Sequence, residues 1–244
     1  MDTHADSTRL PLPADEVHVW SASLELPAAK VASFARLLSA DEQARLARIR
    51  CPRTRDEFAV GRGILRTLLG AYLEQAPSSI RLTLGPIGKP ELSERADPAL
   101  HFNLSHSRGL ALFAFTKCCP VGVDVEHVRP MSNFLGLAER YFSAREVEIL
   151  RCLPDESQIE AFFHAWTRKE AFLKARGVGL SYGLERVEVT LGANIPARLL
   201  RLDGEEGSAR SWSLCNLDLT PGYIGALALE QREFRLVCRN WPQD

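Results

Sequence analysis

The spacing of apolar residues divides the chain into strands and helices. Val17 to Trp20 alternates between apolar and polar positions, as a half-buried strand does. Thr54 to about Leu73 instead repeats its apolar residues at helical spacing. The same criteria predict further strands at residues 80–84, 100–104, 110–116, 121–126, 185–191, 212–219, 223–229 and 234–238. They predict further helices at residues 30–38, 39–50, 134–141, 143–152 and 158–176.

Polar residues mark several of the element ends. Ser39 is followed three residues later by Glu42, which predicts a capping box at a helix start. Gly177 and Gly179 end the last helix. A strand break is predicted at residues 105–109, between two apolar runs.

The order of the elements is repeated along the chain. Residues 17–118 and 121–238 each run from helices into strands, although the residues themselves show no convincing repeat. The pattern predicts an α+β protein built as a pseudo-twofold pair of similar α/β subdomains. We expect a disordered tail at residues 1–15, an N-terminal subdomain at 16–119 and a C-terminal subdomain at 120–244.

Composition excludes several classes of protein. The formal net charge of −1 argues against a nucleic-acid binder that relies on a basic surface. The apolar runs are shorter than the ~18 residues that a membrane span needs, and the polar N-terminus lacks the features of a secretory signal. We therefore expect a cytoplasmic protein without a membrane partner. The scattered cysteines predict reduced thiols that mostly serve packing, and they make zinc improbable. They are Cys51, Cys118, Cys119, Cys152, Cys215 and Cys238.

Two carboxylates lie two residues apart in the strand predicted at 121–126. Asp124 and Glu126 therefore point to one face of the strand, and the valines occupy the opposite, buried face. Taken alone, such a pair fits the solvated face of any half-buried strand.

A third carboxylate lies on the last long helix. Trp166, Glu170 and Lys174 are four residues apart and form one stripe, with Lys169 beside it. Alone, Glu170 and Lys174 fit an ordinary helical ion pair worth about 0.2–0.5 kcal/mol. Combined with the strand pair, they supply the oxygen ligands that Mg²⁺ prefers and two lysines that neutralise the phosphates it bridges. The combination predicts chemistry on a pyrophosphate.

Two segments of the first half offer further anion contacts. Gly88, Lys89 and Pro90 form a constrained turn in which the glycine permits close backbone approach. Ser105 and His106 follow a short apolar strand, so they are predicted at a strand end, a frequent position for sites. The histidine fits a capping or core-edge position equally well.

Arginines cluster on the early helices, and most of them fit a solvated basic face. Arg45 is the one that we favour as an anion contact. Because Lys89 and His106 come from one half and the three acids from the other, we expect the active site in the cleft between the subdomains.

These segments resemble, in order along the chain, the motifs of the 4′-phosphopantetheinyl transferases. The similarity extends from about residue 17 to residue 230, and chain length and doubled layout resemble the surfactin-synthetase-activating type. The matching segments are Gly88-Lys89-Pro90, Phe102-Asn103-Leu104-Ser105-His106-Ser107, Gly122-Val123-Asp124-Val125-Glu126 and Trp166 to Gly177.

The resemblance implies a set of site residues. The residues that would hold Mg²⁺, or Mn²⁺, against the pyrophosphate of coenzyme A are Asp124, Glu126 and Glu170. Those that would contact the phosphates are Lys169 and Lys174. Those that would grip the 3′-phospho-ADP part are Gly88, Lys89, Pro90, Ser105 and His106, helped by Arg45. Glu42 stands where some family members carry lysine, and Ile87 where many carry an aromatic residue.

The resemblance also implies an activity. A monomeric pseudo-dimer would transfer phosphopantetheine from coenzyme A to a serine of an apo acyl or peptidyl carrier protein, releasing 3′,5′-ADP. Glu170 would act as the base, directly or through a metal-bound water, and Lys174 would assist. Two alternatives are a non-catalytic module that binds coenzyme A or a carrier, and a different Mg²⁺-dependent enzyme of diphosphates.

Overall fold

The computed structural model describes residues 9–85, 88–93, 100–192 and 195–242. Within these ranges the helices are α1 (Ala28–Ala35), α2 (Ala40–Arg48), α3 (Pro52–Leu73), α4 (Phe134–Tyr141), α5 (Ala144–Cys152) and α6 (Asp155–Arg176). The strands are β1 (Glu16–Ser23), β2 (Leu82–Leu84), β3 (Pro90–Leu92), β4 (His101–Ser107), β5 (Leu110–Thr116), β6 (Val121–His127), β7 (Val187–Val189), β8 (Leu199–Leu202), β9 (Ser213–Leu217), β10 (Tyr223–Leu229) and β11 (Arg235–Asn240).

Two sheets that share an order of three strands form the centre of the fold, and the first sheet has β11 as an additional edge strand. The first runs β11-β1-β5-β4 and the second runs β6-β10-β9. In the first sheet β1 pairs antiparallel with β5, the second strand of the β4–β5 hairpin. In the second sheet β6 pairs antiparallel with β10, which in turn pairs with β9. Each half also contains one 22-residue helix, α3 or α6. The structure is thus the α+β pair of similar units that the sequence predicted.

The two halves share a buried valine-rich core. Val17 and Val19 of β1 pack in one cluster with Val121, Val123 and Val125 of β6. All five side chains are at most 3% exposed. Burying each one stabilises the fold by roughly 1.5–3 kcal/mol. This core keeps β4 of the first half beside β6 of the second.

Two helix ends were predicted from specific residues, and both are observed. Ser39 and Glu42 form the predicted capping box at the start of α2. Gly177 ends α6 in the left-handed conformation, with φ of 72°. This position requires positive φ, which glycine adopts without a Cβ clash.

Several boundaries differ from the prediction. Residues 105–107 continue strand β4, and the turn comes at Arg108 and Gly109. The break predicted at Ser105 is therefore wrong, because polar side chains on one face of the strand resemble a turn in sequence. Of the predicted disordered tail, residues 9–15 are ordered, and Leu12 is 6% exposed in the N-terminal core. Residues 1–8 lie outside the described ranges.

The chain passes from the first sheet to the second near Pro120, and its last strand returns to the first sheet. β11 pairs parallel with β1 of the first half, with Glu16 opposite Arg235. Trp241 continues this return and packs edge-on against Trp20. The last strand of the chain thus belongs to the sheet of the first half.

All six cysteines are free thiols. Cys51, Cys152 and Cys238 are exposed, so the prediction that most of them serve packing does not hold for these three. No helix in the described ranges is both long and apolar enough to span a membrane.

Candidate functional site

Strand β6 carries two carboxylates beside strand β4. Asp124 is 5% exposed and Glu126 is partly exposed. Ser105 Oγ of β4 donates to Asp124 Oδ1 at 2.8 Å, and Ser107 Oγ donates to Glu126 Oε2 at 3.0 Å. Asn103 Oδ1 accepts from the backbone N–H of Val123 at 2.8 Å, which fixes the two strands side by side.

Helix α6 packs directly onto this strand because Gly122 has no side chain. A Cβ at Gly122 would lie 2.0 Å from the Ala171 carbonyl oxygen and 2.4 Å from the Ala175 nitrogen. The glycine is thus required for the close approach of strand and helix. It brings Lys174 Nζ to 2.6 Å from Asp124 Oδ1 and 2.9 Å from Ser105 Oγ.

Glu170 lies one helical turn before Lys174 and faces the same acidic region. Burial raises the pKa of Glu170 to about 7, the negative charges of Asp124 and Glu126 add to this rise, and Lys174 opposes it. Burial and the charge of Asp124 likewise raise the pKa of Glu126. Alongside burial, the charge of Asp124 thus contributes to the raised pKa of both glutamates, which supports a common neighbourhood for the three acids.

The donor set fits a hard dication, although the cage is not preformed. Among the described residues, no three Asp, Glu, His or Cys side chains are already arranged around one metal position. Asp124 Oδ2 and Glu170 Oε1 are, however, buried without a hydrogen-bond partner in those residues. Unpartnered buried carboxylate oxygens are costly, and oxygens of this kind are what Mg²⁺ binds.

Lys169 does not reach this region. Its side chain is fully buried, and Nζ lies 2.6 Å from Glu146 Oε2 of α5. Nζ also donates to the carbonyl oxygens of Leu184 at 2.9 Å and Val187 at 2.6 Å. The predicted phosphate contact of Lys169 is therefore wrong, because its ammonium points into the C-terminal core on the other side of α6.

Lys89 joins the two halves through backbone oxygens. Its Nζ donates to the carbonyl of Lys174 at 2.9 Å and to that of Val121 at 3.4 Å. Desolvation, with a further contribution from Lys174, lowers the pKa of Lys89 to about 8, and Glu91 opposes the shift. Gly88 adopts a φ of 76°, and Pro90 begins β3. The Lys89 ammonium thus binds backbone oxygens of β6 and of the C-terminal end of α6.

Ser105 and His106 point to opposite faces of β4. Ser105 is buried against Asp124, whereas His106 is exposed. The structure therefore brings only the serine into the acidic cluster, and the histidine lies on the adjoining surface. Ser107 was not among the site residues predicted from the sequence. Its alternation with Ser105 would have identified it, had residues 105–107 been assigned to the strand.

Arg45 packs against an aromatic ring of the first half. It is exposed on α2, and its guanidinium lies 5.1 Å from the centre of the Phe58 ring. Glu42 serves a structural role there, with its Oε2 2.6 Å from Arg66 Nε and its Oε1 3.4 Å from Arg62 Nε. Ile87 lies outside the described ranges.

Known proteins are similar to this chain in sequence. Residues 120–228 match the family described as the 4′-phosphopantetheinyl transferase superfamily. The 4′-phosphopantetheinyl transferase HetI of Nostoc sp. is 42% identical over 90% of this chain and 90% of its own. A putative 4′-phosphopantetheinyl transferase of Synechocystis sp. is 37% identical over 69% of this chain and 68% of its own. The transferase Sfp of Bacillus subtilis is 34% identical over 54% and 57%.

Proposed function

The chain belongs to the 4′-phosphopantetheinyl transferase superfamily, and we propose that it transfers 4′-phosphopantetheine from coenzyme A to a serine of an apo acyl or peptidyl carrier protein. It is a transferase by this membership. The proposal rests on one cluster of side chains. Lys174, Ser105 and Asp124 are hydrogen-bonded to one another, and the partly buried Glu170 lies beside them.

The transfer is a displacement at phosphorus. A bond forms between the carrier serine oxygen and the β-phosphorus of coenzyme A. The bond from that phosphorus to the oxygen bridging the two phosphates breaks, and 3′,5′-ADP leaves with the electron pair. Positioning and charge neutralisation supply most of the acceleration in reactions of this kind.

We assign to Glu170 the role of accepting the proton of the carrier serine. A general base works best when its pKa lies near the operating pH, and burial raises the pKa of Glu170 to about 7. Its Oε1 is buried without a partner among the described residues, and this oxygen would serve either as the proton acceptor or as a metal ligand.

Lys174 supplies positive charge next to the developing phosphate charge. Its Nζ bridges Asp124 and Ser105, so its position is fixed before a substrate enters. Asp124 and Glu126, together with Glu170, would hold a Mg²⁺ or Mn²⁺ ion, which when bound neutralises the two phosphates. Lys89 orders the C-terminal end of α6 and thereby the lysine that α6 carries.

The experiment is to incubate the protein with coenzyme A, Mg²⁺ and an apo-carrier, and to weigh the carrier by mass spectrometry. We expect a mass gain of one phosphopantetheine. Binding of coenzyme A with an unchanged carrier mass would instead identify a non-catalytic module. A panel of apo-carriers from fatty-acid, polyketide and peptide synthesis then assigns the acceptor.

We also propose that the protein is a monomer. Each half covers its valine face with the other half, as a dimer of single units would with its partner. Size-exclusion chromatography coupled to light scattering checks this, with 27.2 kDa expected from the sequence.

A further inference from the structure

A second concave region lies on the C-terminal half, between strands β8 and β9. It is a cleft of about 800 Å³. It shares no lining residue with the acidic cluster of Asp124, Glu126 and Glu170. Its charged lining is mainly guanidinium, contributed by Arg145, Arg198, Arg201, Arg210 and Arg232.

Most of these arginines lack acidic partners. Of the described residues that line the cleft, Glu206 is the single acid, and its Oε1 lies 3.4 Å from Arg201 Nη2. The side chains of Arg145, Arg198 and Arg210 form no hydrogen bond or ion pair with any described residue. The whole chain carries a net charge of −1, so the cluster is a local feature rather than a consequence of a basic protein.

Arg201 carries the most specific signal. Its Nε is buried without a hydrogen-bond partner among the described residues, while the side chain as a whole is 39% exposed. Glu188 is its cross-strand neighbour on β7, and Glu188 Oε2 is likewise buried without a partner, so the two side chains lie side by side without forming an ion pair. A buried charged donor without an acceptor destabilises the fold unless an acceptor from outside supplies the missing bond.

Several guanidinium groups around one concavity repel each other, and a multivalent anion removes that repulsion. Guanidinium donors match the oxygens of phosphate in pairs, which makes arginine the side chain of choice for phosphate recognition. Trp212 and Phe234 line the same cleft and add an apolar wall.

We propose that this cleft binds a small anion that carries two or more phosphate groups. Arg201 provides the fixed, partly buried donor, and the exposed arginines close around the anion. A free polyphosphate and an organic di- or triphosphate share this chemistry. The apolar wall of Trp212 and Phe234 would favour the organic one.

The test is calorimetric titration of the protein with inorganic tripolyphosphate and, in parallel, with a nucleoside triphosphate, without divalent ions. The double variant Arg198→Gln/Arg210→Gln removes two charges from the cleft. The matched control Arg36→Gln/Arg81→Gln removes two exposed charges from the other half. Losing one charge-assisted contact weakens binding on the order of tenfold. We expect the cleft variant to bind at least that much more weakly, and the control to bind like the unmodified protein.

A third variant, Arg201→Lys, keeps the charge but removes the Nε donor, so we expect it to bind more weakly as well. Equal affinities of the cleft and control variants would overturn the proposal, since the anion would then lie elsewhere. A second result would also overturn the proposal. In it the unmodified protein binds a polyglutamate peptide but neither phosphate compound, and the cleft variant does not bind the peptide. The cleft would then be a docking surface for an acidic peptide.

Discussion

The two halves of the molecule are built around the same buried ion pair. In each half a serine and the glutamate three residues later form a capping box, on α2 and on α5. That glutamate then pairs with the fifteenth residue of the long helix that follows. The pairs are Glu42 with Arg66 in the first half and Glu146 with Lys169 in the second, both at 2.6 Å.

The next residues of the same helices differ completely. In α6, Glu170 and Lys174 face the acidic cluster. In α3 the matching positions are Thr67 and Ala71, which line a cavity of about 820 Å³ together with the apolar Trp20. The first half thus has the buried ion pair of the second half but not its acidic and basic site residues.

The comparison separates what the fold requires from what the reaction requires. The capping glutamate and its basic partner are present in both halves, so they serve the architecture. The carboxylates and Lys174 occur in one half alone, so they serve the site. Lys169 belongs to the first group, although it is next to Glu170 in sequence.

The largest effect is expected at the residue that distinguishes the halves most. Glu170→Gln removes the proton acceptor while keeping the side-chain size, and it should lower the transfer rate about 10²–10⁴-fold. The matched change in the other half, Thr67→Val, should leave the rate within about twofold, and carrier mass spectrometry measures both. Near-normal transfer by Glu170→Gln would remove this residue from the mechanism.

The next effect tests the shared frame. Lys169→Met leaves Glu146 buried without its partner and should lower the free energy of unfolding by about 3–5 kcal/mol. Arg66→Met should cost less, because Glu42 keeps Arg62 as a second partner. Denaturant unfolding gives both values.

The same variant examines the discarded role of Lys169. The KM for coenzyme A should change little in Lys169→Met protein that remains folded. A large rise in the KM for coenzyme A, with an unchanged free energy of unfolding, would show that Lys169 contacts the phosphates.

A third change breaks the contact between strand β6 and helix α6. Gly122→Ala places a methyl group 2.0 Å from the Ala171 oxygen, and should cost about 1–3 kcal/mol of stability and displace Lys174. The control is Gly61→Ala in α3, where the new methyl meets only Leu24 at 3.5 Å. It should be neutral or stabilise by up to about 1 kcal/mol. Equal effects of the two changes would show that the close approach is not specific to the site.

The smallest effect concerns protonation in the metal-free protein. Carbon-detected nuclear magnetic resonance should show Glu170 titrating with a pKa of about 7. Asp124→Asn removes a negative neighbour and should lower that pKa, whereas Lys174→Met should raise it. Since the folded state binds this proton more tightly than the unfolded chain does, the Glu170 contribution to stability is present below a pH of about 4.5 and is lost as the pH rises through about 7. A Glu170 pKa near 4.5 would contradict the packing described.

Most of the elements were predictable because their signals are local. The periods of β1, β5, β6, α3 and α6, the capping box at Ser39 and the terminal Gly177 all came from neighbouring residues. The approach of Glu170 to Asp124 was expected from the motifs, and the pKa of Glu170, raised by burial and by the charge of Asp124, supports it. The second capping box, at Ser143 and Glu146, could also have been predicted from the sequence. Together with the box at Ser39 and Glu42 it would have indicated that the two halves are built alike.

Other features required the packing of distant segments. Adjacent residues of a helix point about 100° apart, so the residue order alone did not show which side of α6 faces a substrate. α6 is covered on nearly all sides, which removes the polar stripe that normally orients a helix. Only the tertiary structure shows that Lys169 enters the core beside Glu146 while Glu170 faces Asp124. Local residue order determined the elements, and the packing of both halves decided which charges meet.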